Sequence, residues 1–305
     1  MIKGKVLIGP STFGAADRAP LDRLQQAGAE VVPNPYGRKL STDELRALLP
    51  GVVGLIAGLE SLTREVLARS SLKVISRCGV GLSNVDLKAA EDLGITVRST
   101  PDAPTAAVAE LTIGALISLM RGLPQMDRDL HEGRWSKQVG VQLESKTVLL
   151  IGFGRIGRKV ASLLKPFNVR LLAVDAALVG TVEGVPVLPL VKALPQADVI
   201  SLHASGETEI IGEREFDLLK PGVFLLNAGR GGLVNESVLC QALEKGRVAG
   251  AWLDTFSREP YEGPLIRAPH VILTPHIGSS SIECRRRMEM EAVENLLAAL
   301  AESGL

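Results

Sequence analysis

The stretch "VLLIGFGRIGRKV", residues 148–160, decides the fold of this chain. An apolar run ends at Ile151, glycines follow at Gly152, Gly154 and Gly157, and a helical pattern begins among them. This spacing is typical of a strand, a tight turn and a helix whose free N-terminal N–H groups bind the pyrophosphate of a dinucleotide. It predicts a dinucleotide site in which Arg155 and Ile156 open the helix.

An acidic residue at the end of the next apolar run indicates which dinucleotide binds. "VRLLAVD" ends in Asp175, where a carboxylate can accept hydrogen bonds from the hydroxyls of the adenosine ribose. Asp175 would repel a 2′-phosphate, and neither Ala176 nor Ala177 supplies a cation to bind one. The prediction is therefore NAD and not NADP. The alternative is a glycine turn followed by an ordinary aspartate at a strand end.

The composition excludes several classes of protein. With 305 residues, 46% of them hydrophobic, the chain can form two domains with substantial cores. Lysine plus arginine balances aspartate plus glutamate at 34 each, so no overall charge favours nucleic acid or an anionic membrane. No signal peptide or membrane span is apparent, and the expected location is the cytoplasm. Cys78, Cys240 and Cys284 lack metal-ligand spacing, which predicts reduced thiols and no metal site.

Short apolar runs alternate with helical patterns along most of the chain, as in parallel sheets. The runs that predict strands are "KVLIG" (5–9), "VGLIAG" (53–58), "LKVISR" (72–77), "ITVRS" (95–99), "VRLLAVD" (169–175), "ADVISLH" (197–203), "GVFLLNAG" (222–229), "VAGAWLDTF" (248–256) and "HVILTPH" (270–276). A long helix is predicted at about 104–121, followed by an irregular stretch containing "HEGRW", and an amphipathic helix ends the chain. The expected fold is α/β, with two Rossmann-like or flavodoxin-like domains, each a doubly wound parallel sheet.

Three polar side chains follow predicted strands of the second half. Arg230, Glu259 and His276 lie in successive connections, and ligands of doubly wound sheets bind beyond the carboxyl ends of strands. Each residue alone has a simpler explanation, such as a surface ion pair, a turn or a cap. Together, and after a dinucleotide site, they indicate a catalytic set.

The chain resembles the D-isomer-specific 2-hydroxyacid dehydrogenases, in their phosphoglycerate-dehydrogenase-like branch. Besides the glycine turn, the motifs that carry this resemblance are "ISRCGVGLSNVDLKAA" (75–90), "TPDAPTAAVAELTIGALISLMR" (100–121), "LLNAGRGGLVNESVL" (225–239), "AWLDTFSREP" (251–260) and "LTPHIGSSS" (273–281). The resemblance implies that residues 99–284 form the NAD-binding domain. Residues 1–98 with 285–305 would form a discontinuous substrate domain, with a cleft between the two.

The family resemblance also implies the role of each residue in the catalytic set. His276 matches the proton donor and acceptor, Glu259 the carboxylate paired with it, and Arg230 the guanidinium that binds the substrate. Hydride transfer to a ketone leaves negative charge on oxygen, and histidine, with an ordinary pKa near 6.5, suits the accompanying proton transfer. Glu259 is expected to orient the ring and favour its protonated form.

Further positions are assigned by the same resemblance. Asp254 matches the contact to the nicotinamide amide, and His203 matches a strand end beside the cofactor. The remaining cofactor-binding residues implied are Asn227, Ala228, Gly229 and Gly278. The main chain of Gly79, Val80 and Gly81 resembles a clamp for the substrate carboxylate. His131 lies in an irregular polar stretch, and His270 begins the predicted strand that His276 ends, so both are poor candidates for the acid.

Several departures from the family pattern concern the substrate. Phosphoglycerate members carry Arg–Ser where this chain has Ala57 and Gly58, and asparagine where it has Pro104. The loop "LHASGETE" is about two residues shorter than the usual version, and no C-terminal regulatory domain is apparent, so feedback by serine is not expected. Arg77 is assigned to substrate binding, where it would contact a distal phosphate or carboxylate, with a surface ion pair as the alternative.

These observations predict an NAD-dependent enzyme that interconverts a small D-2-hydroxy acid and its 2-oxo acid. Glyoxylate, hydroxypyruvate and 3-phosphoglycerate remain candidates. The alternatives are an NAD-sensing, corepressor-like binding protein and, less favoured, a hydrolase or transferase, for which no nucleophile is evident. The apolar helix at 105–121 predicts a homodimer, because a helix that is apolar on most faces is buried in a core or between subunits.

Overall fold

The computed structural model describes residues 4–304, which contain thirteen strands in two sheets. The strands are β1 (Lys5–Ile8), β2 (Glu30–Val32), β3 (Val52–Ala57), β4 (Val74–Arg77), β5 (Thr96–Ser99), β6 (Thr147–Ile151), β7 (Arg170–Val174), β8 (Gly180–Val182), β9 (Val185–Val187), β10 (Val199–Leu202), β11 (Val223–Asn227), β12 (Val248–Leu253) and β13 (Val271–Leu273).

Eleven α-helices connect or follow these strands within the described residues. They are α1 (Ala19–Gln26), α2 (Thr42–Leu48), α3 (Arg64–Ala68), α4 (Leu87–Asp92), α5 (Thr105–Arg121), α6 (Leu123–His131), α7 (Arg155–Leu164), α8 (Leu190–Ala193), α9 (Glu213–Asp217), α10 (Glu236–Glu244) and α11 (Ile282–Glu302).

Contacts divide the chain into two compact units. The first unit runs up to Pro104 and resumes at Ser280, and the second is Thr105–Ser279. These limits lie a few residues from the domain boundaries predicted at 98/99 and 284/285. Ala103 packs in the core of the first unit and Ser281 caps the start of α11, so both connections group with that unit.

The first unit is built on a five-stranded parallel sheet in the order β2-β1-β3-β4-β5. The order reverses between β1 and β3, as in flavodoxin-like folds, and the ends of both strands meet there. Apolar clusters cover both faces of the sheet. Helix α11 contributes to one of them, where Val293, Leu296 and Leu300 are buried with Val6 and Ile56.

The second unit contains an eight-stranded sheet in the order β13-β12-β11-β10-β6-β7-β9-β8. All pairs are parallel except β8 with β9. One face packs against α5 and α7, and the other against α8 and α10. The strand order reverses between β6 and β10, so the glycine turn after β6 lies at the point where doubly wound sheets bind ligands.

The predicted fold class, with two doubly wound α/β units, is confirmed. Helix α6 was not expected, because an irregular stretch was predicted after α5; it carries Pro124 in its first turn, where proline is well tolerated. Strand β2 and the β8–β9 hairpin were also not predicted. Within residues 4–304 no single helix has the length and apolarity to cross a membrane, although α5 and α6, bent by 65°, meet that criterion as a pair.

Candidate functional site

The glycine turn after β6 has the geometry that a bound dinucleotide requires. Gly152 has φ +91°, and a Cβ there would collide with the main chain of Ala204 beyond β10. A Cβ on Gly157 would collide with the carbonyl oxygen of Gly152, whereas one on Gly154 would meet nothing within 4 Å. No side chain caps the start of α7, and a helix N-terminus presents N–H groups and the positive end of the helix dipole to an anion. The turn therefore fits a pyrophosphate.

Asp175, the residue after β7, is hydrogen-bonded to the glycine turn. Its Oδ2 accepts a hydrogen bond from the N–H of Phe153 at 2.8 Å, and its Oδ1 accepts one from Ala177 at 2.9 Å. The carboxylate is half-buried, and each oxygen has a further lone pair. Asp175 can therefore hold the turn and still accept hydrogen bonds from ribose hydroxyls.

His203 lies directly after β10, beside the same turn. Its Nε2 is 2.9 Å from the Ser201 hydroxyl, while its Nδ1 is buried without a hydrogen-bond partner among the described residues. Burial lowers the pKa of His203 to about 4, so the ring is neutral near pH 7. A neutral, partly unsatisfied imidazole suits a neighbour of the cofactor and cannot be the main proton donor.

Asn227, at the end of β11, shapes the loop that carries Arg230. The Asn227 side chain is fully buried; its amide donates to the carbonyl oxygen of Arg230 at 2.9 Å, and its Oδ1 accepts from the N–H of Gly229 at 3.1 Å. The Arg230 guanidinium donates to the carbonyl oxygen of Gly229 at 2.9 Å. The half-buried guanidinium is thus held by its own loop, with donors remaining for a carboxylate.

Asp254, which follows β12, organises the loop around His276. Its buried carboxylate accepts three hydrogen bonds, from the Thr274 hydroxyl at 2.6 Å and from the N–H groups of Ile277 and Gly278, both at 2.8 Å. The Asp254 N–H donates to the carbonyl oxygen of Asn227 at 3.0 Å, which connects the ends of β11 and β12. This carboxylate therefore holds main chain on the C-terminal side of His276.

His276 and Glu259 form a hydrogen-bonded pair. The Nδ1 atom of His276 lies 2.9 Å from Oε2 of Glu259, and both side chains are partly exposed. The other carboxylate oxygen of Glu259 accepts from the N–H of Phe256 at 3.2 Å. With Nδ1 held by the carboxylate, Nε2 of the ring is the atom left to exchange a proton with a ligand.

The predicted clamp, residues 79–81, follows β4 in the first unit. Gly79 donates its N–H to the Thr100 hydroxyl at 2.8 Å, and its carbonyl oxygen accepts the N–H of Thr100 at 3.0 Å. The first of these bonds occupies the Gly79 N–H, whereas the N–H groups of Val80 and Gly81 have no acceptor among residues 4–304. Of the three predicted main-chain donors, Val80 and Gly81 are thus the two whose N–H groups can still donate to a ligand.

Arg77 lies against this clamp. Its guanidinium donates to the carbonyl oxygen of Cys78, and a Cβ on Gly79 would collide with it. The carboxyl of Glu60 is 1% exposed and accepts a hydrogen bond from the N–H of Gly58 at 2.7 Å. It lies within electrostatic reach of the Arg77 guanidinium. Burial raises the pKa of Glu60, and the positive charge of Arg77 opposes part of that rise. Arg77 thus has neighbours within the first unit.

Sequence reasoning missed Thr274, Trp252 and Glu60. The Trp252 indole donates to the Thr274 hydroxyl at 3.0 Å, and Thr274 in turn bonds Asp254. A threonine two residues before a candidate acid was an available signal. The position of Trp252 beside it depends on the register of β12 and β13, which the sequence does not reveal.

The geometry defines a class: a protein with a doubly wound dinucleotide-binding unit, a histidine after a strand end hydrogen-bonded to a glutamate, and an arginine two strands away. Residues 113–278 match the family described as "D-isomer specific 2-hydroxyacid dehydrogenase, NAD binding domain". The chain is 35% identical over 272 residues to the hydroxypyruvate reductase of Thermotoga maritima, and the match spans 86% of this chain and 89% of that protein. It also resembles the crystal structure of the TT0316 protein from Thermus thermophilus, with a TM-score of 0.90, 35% identity and coverage of 98% and 97%.

The chain belongs to the D-isomer specific 2-hydroxyacid dehydrogenase family, and its second unit contains the NAD-binding domain of that family. It is also 36% identical over 294 residues to the D-3-phosphoglycerate dehydrogenase of Sus scrofa, covering 93% of this chain. Those residues are 54% of the pig protein, so the chain spans about half the length of that relative.

Proposed function

We propose that the protein is an NAD-dependent enzyme that reduces a small 2-oxo acid to its D-2-hydroxy acid and catalyses the reverse reaction. The observation that carries this proposal is the 2.9 Å contact between His276 and Glu259, in the unit that holds the dinucleotide turn. A binding protein needs the turn alone, whereas proton transfer needs the pair.

Each residue has a defined task in this proposal. Bound NADH supplies the hydride. Nε2 of protonated His276 gives a proton to the substrate oxygen as negative charge develops there, and Glu259 holds the ring through Nδ1. Arg230 pairs with the substrate carboxylate through its planar group of donors. In the first unit, the N–H groups of Val80 and Gly81 are the proposed carboxylate donors.

The cofactor-binding residues are proposed on the same basis. The turn of Gly152, Gly154 and Gly157 with the start of α7 binds the pyrophosphate, and Asp175 binds the adenosine ribose, which favours NAD over NADP. Residues at the neighbouring strand ends complete the site, namely His203, Asn227, Ala228, Gly229, Asp254 and Gly278.

Small, unphosphorylated acids such as glyoxylate and hydroxypyruvate are the proposed substrates. Ala57 and Gly58 offer no cation at the end of β3, and a buried carboxyl, Glu60, follows them. Arg77 lies against Gly79, so we propose that it supports the clamp and does not bind a distal phosphate.

We further propose a homodimer that acts in the cytoplasm. Beyond α5 the chain carries exposed apolar side chains in residues 123–141, here called the arm segment: Leu123, Leu130, Trp135, Val139 and Val141. Trp135 is 80% exposed. Exposed large apolar side chains in one segment favour burial against another protein surface, and a symmetric second copy is the commonest partner.

The test is NADH consumption by the purified protein with a panel of 2-oxo acids that differ in chain length and phosphate. Turnover of glyoxylate or hydroxypyruvate that His276→Ala abolishes would support the proposal. Binding of NADH without turnover of any member would contradict it.

A further inference from the structure

A row of buried and partly buried hydrogen bonds runs behind the loop that carries His276. Trp252, on β12, is fully buried, and its indole N–H donates to Oγ1 of Thr274 at 3.0 Å. Thr274 Oγ1 is 2.6 Å from Oδ1 of Asp254. The Asp254 carboxylate in turn accepts hydrogen bonds from the N–H groups of Ile277 and Gly278.

The direction of these bonds follows from the chemistry of the groups. An indole N–H only donates, so the Thr274 oxygen accepts from it. A carboxylate only accepts, so the Thr274 hydroxyl proton points to Asp254. Thr274 is therefore held from both sides, and its proton gives Asp254 a charge-assisted hydrogen bond, which is stronger than a neutral one.

The loop beyond needs such support. His276 has φ +53°, in the left-handed region that residues with a Cβ rarely adopt and that costs on the order of 1–3 kcal/mol. The His276 N–H donates to the carbonyl oxygen of Thr274 at 2.9 Å, which places Thr274 on both the main-chain and the side-chain route to the histidine. Asp254 holds the next two N–H groups, so the main chain is fixed on either side of the strained residue.

We propose that Trp252 and Thr274 are positioning residues for proton transfer: they hold the Asp254 carboxylate so that the loop presents His276 to Glu259. Neither side chain hydrogen-bonds the imidazole of His276, since the bond between Thr274 and His276 joins their main chains. The proposal rests on the proposed function, and its contribution is the orientation of the acid.

The test compares three variants with one control. Thr274→Val keeps the side-chain shape and removes both hydrogen bonds, Thr274→Ser keeps the hydroxyl, and Trp252→Phe removes the indole N–H. The control is Thr112→Val, which removes the hydroxyl of a buried threonine that donates within α5 to the Val108 carbonyl oxygen at 2.7 Å.

Thr274→Val should lower kcat by about tenfold, the size expected when a catalytic group is misplaced and not removed, with less than about a threefold change in NADH affinity. Thr274→Ser should recover most of kcat, Trp252→Phe should fall between, and Thr112→Val should retain the wild-type kcat.

A measurement without substrate separates this proposal from the proposed function. In protein labelled at histidine, the imidazole resonances of His276 should shift in Thr274→Val, while those of exposed His131 stay in place. If the wild type lacked turnover but the shift appeared, only the proposed function would fail. The positioning role would be overturned if the His276 resonances of Thr274→Val kept their wild-type positions. It would also be overturned if Thr274→Ser lost as much kcat as Thr274→Val.

Discussion

Glu259 Oε2 and His276 Nδ1 lie 2.9 Å apart, although the two residues come from the connections after β12 and β13. Glu259 is oriented by the N–H of Phe256, and His276 by the main chain around Asp254. Two separately anchored loops thus bring the Glu259 carboxylate into hydrogen-bonding distance of the His276 ring.

This pair predicts two different responses to mutation. Glu259→Gln keeps the side-chain shape but removes the carboxylate that holds Nδ1 of His276, so kcat for reduction should fall by about tenfold, with NADH binding nearly unchanged. His276→Ala should lower kcat by a factor on the order of 10² or more, because it removes the proton donor. Stopped-flow measurements of NADH oxidation and titrations with NADH compare the two variants. A wild-type kcat in Glu259→Gln would show that the pair is not coupled.

Cofactor preference should depend on Asp175. The wild type is expected to use NADH at least about tenfold better than NADPH, since a carboxylate near a 2′-phosphate costs more than about 1 kcal/mol. Asp175→Asn should narrow this ratio and keep one of the two hydrogen bonds that the carboxylate accepts, from Phe153 and from Ala177; alanine would remove both. Steady-state kinetics with both cofactors measure the ratio, and Glu183→Gln, at a nearby surface acid, is the control. Equal use of both cofactors by the wild type would refute the prediction.

His203 should make the stability of the protein depend on pH. Its folded-state pKa of about 4 lies below the ordinary value of 6.5, so the unfolded chain binds more protons between these values. The stabilisation is present above about pH 6.5 and is lost as pH falls toward 4, with about 2 kcal/mol lost between pH 7 and pH 5.

The variant His203→Gln should therefore lose less stability between pH 7 and pH 5 than the wild type does. Urea unfolding at both pH values measures the difference. His131→Gln, at an exposed position on α6, is the matched control and should behave as the wild type. The same loss in His203→Gln and wild type would mean that His203 is not buried as a neutral ring.

Arg77→Ala should raise KM by similar factors for glyoxylate and for longer or phosphorylated acids, because the guanidinium supports Gly79 in the clamp. Arg77→Lys should restore little, since a lysine lacks the planar group of donors. A KM increase confined to phosphorylated or dicarboxylic acids would instead assign Arg77 to the distal end of the substrate.

The arm segment should hold the dimer together. Trp135→Asp places a charge where we expect an apolar contact, and burying an unpaired charge costs several kcal/mol, enough to give monomers at micromolar concentration. Val191→Asp, at another exposed valine, should remain dimeric. Light scattering over a range of concentrations measures both. A monomeric wild type, or a dimeric Trp135→Asp variant, would contradict the proposal.

The sequence predicted features that depend on local pattern and missed those that depend on contacts between distant segments. The glycine turn follows from three glycines after an apolar run, and the structure shows why Gly152 and Gly157 must lack a side chain. Strand β2 has three residues, too few to show a period. The β8–β9 hairpin turns through Glu183 and Gly184, which both have positive φ, as in a two-residue hairpin turn. The glycine at position 184 was the usable signal in the sequence.

The candidate site divides in the same way. The meeting of Glu259 and His276 was predicted, because both follow neighbouring parallel strands and match one family pattern. The bond from Gly79 to Thr100 was not, because it joins main chain and side chain across twenty-one positions. The contact between Trp252 and Thr274 depends on strand register, in which Trp252 pairs with Ile272.

The packing of α11 on the first unit has a consequence for synthesis on the ribosome. The five strands of that unit are made first, but the apolar side chains that cover one face of their sheet, such as Leu296, come from the last helix. Until that helix emerges, the face around Val6 and Ile56 lacks its cover. The second unit, continuous in sequence, can form its core while the chain is still growing, so the middle of the polypeptide is free to fold before its beginning.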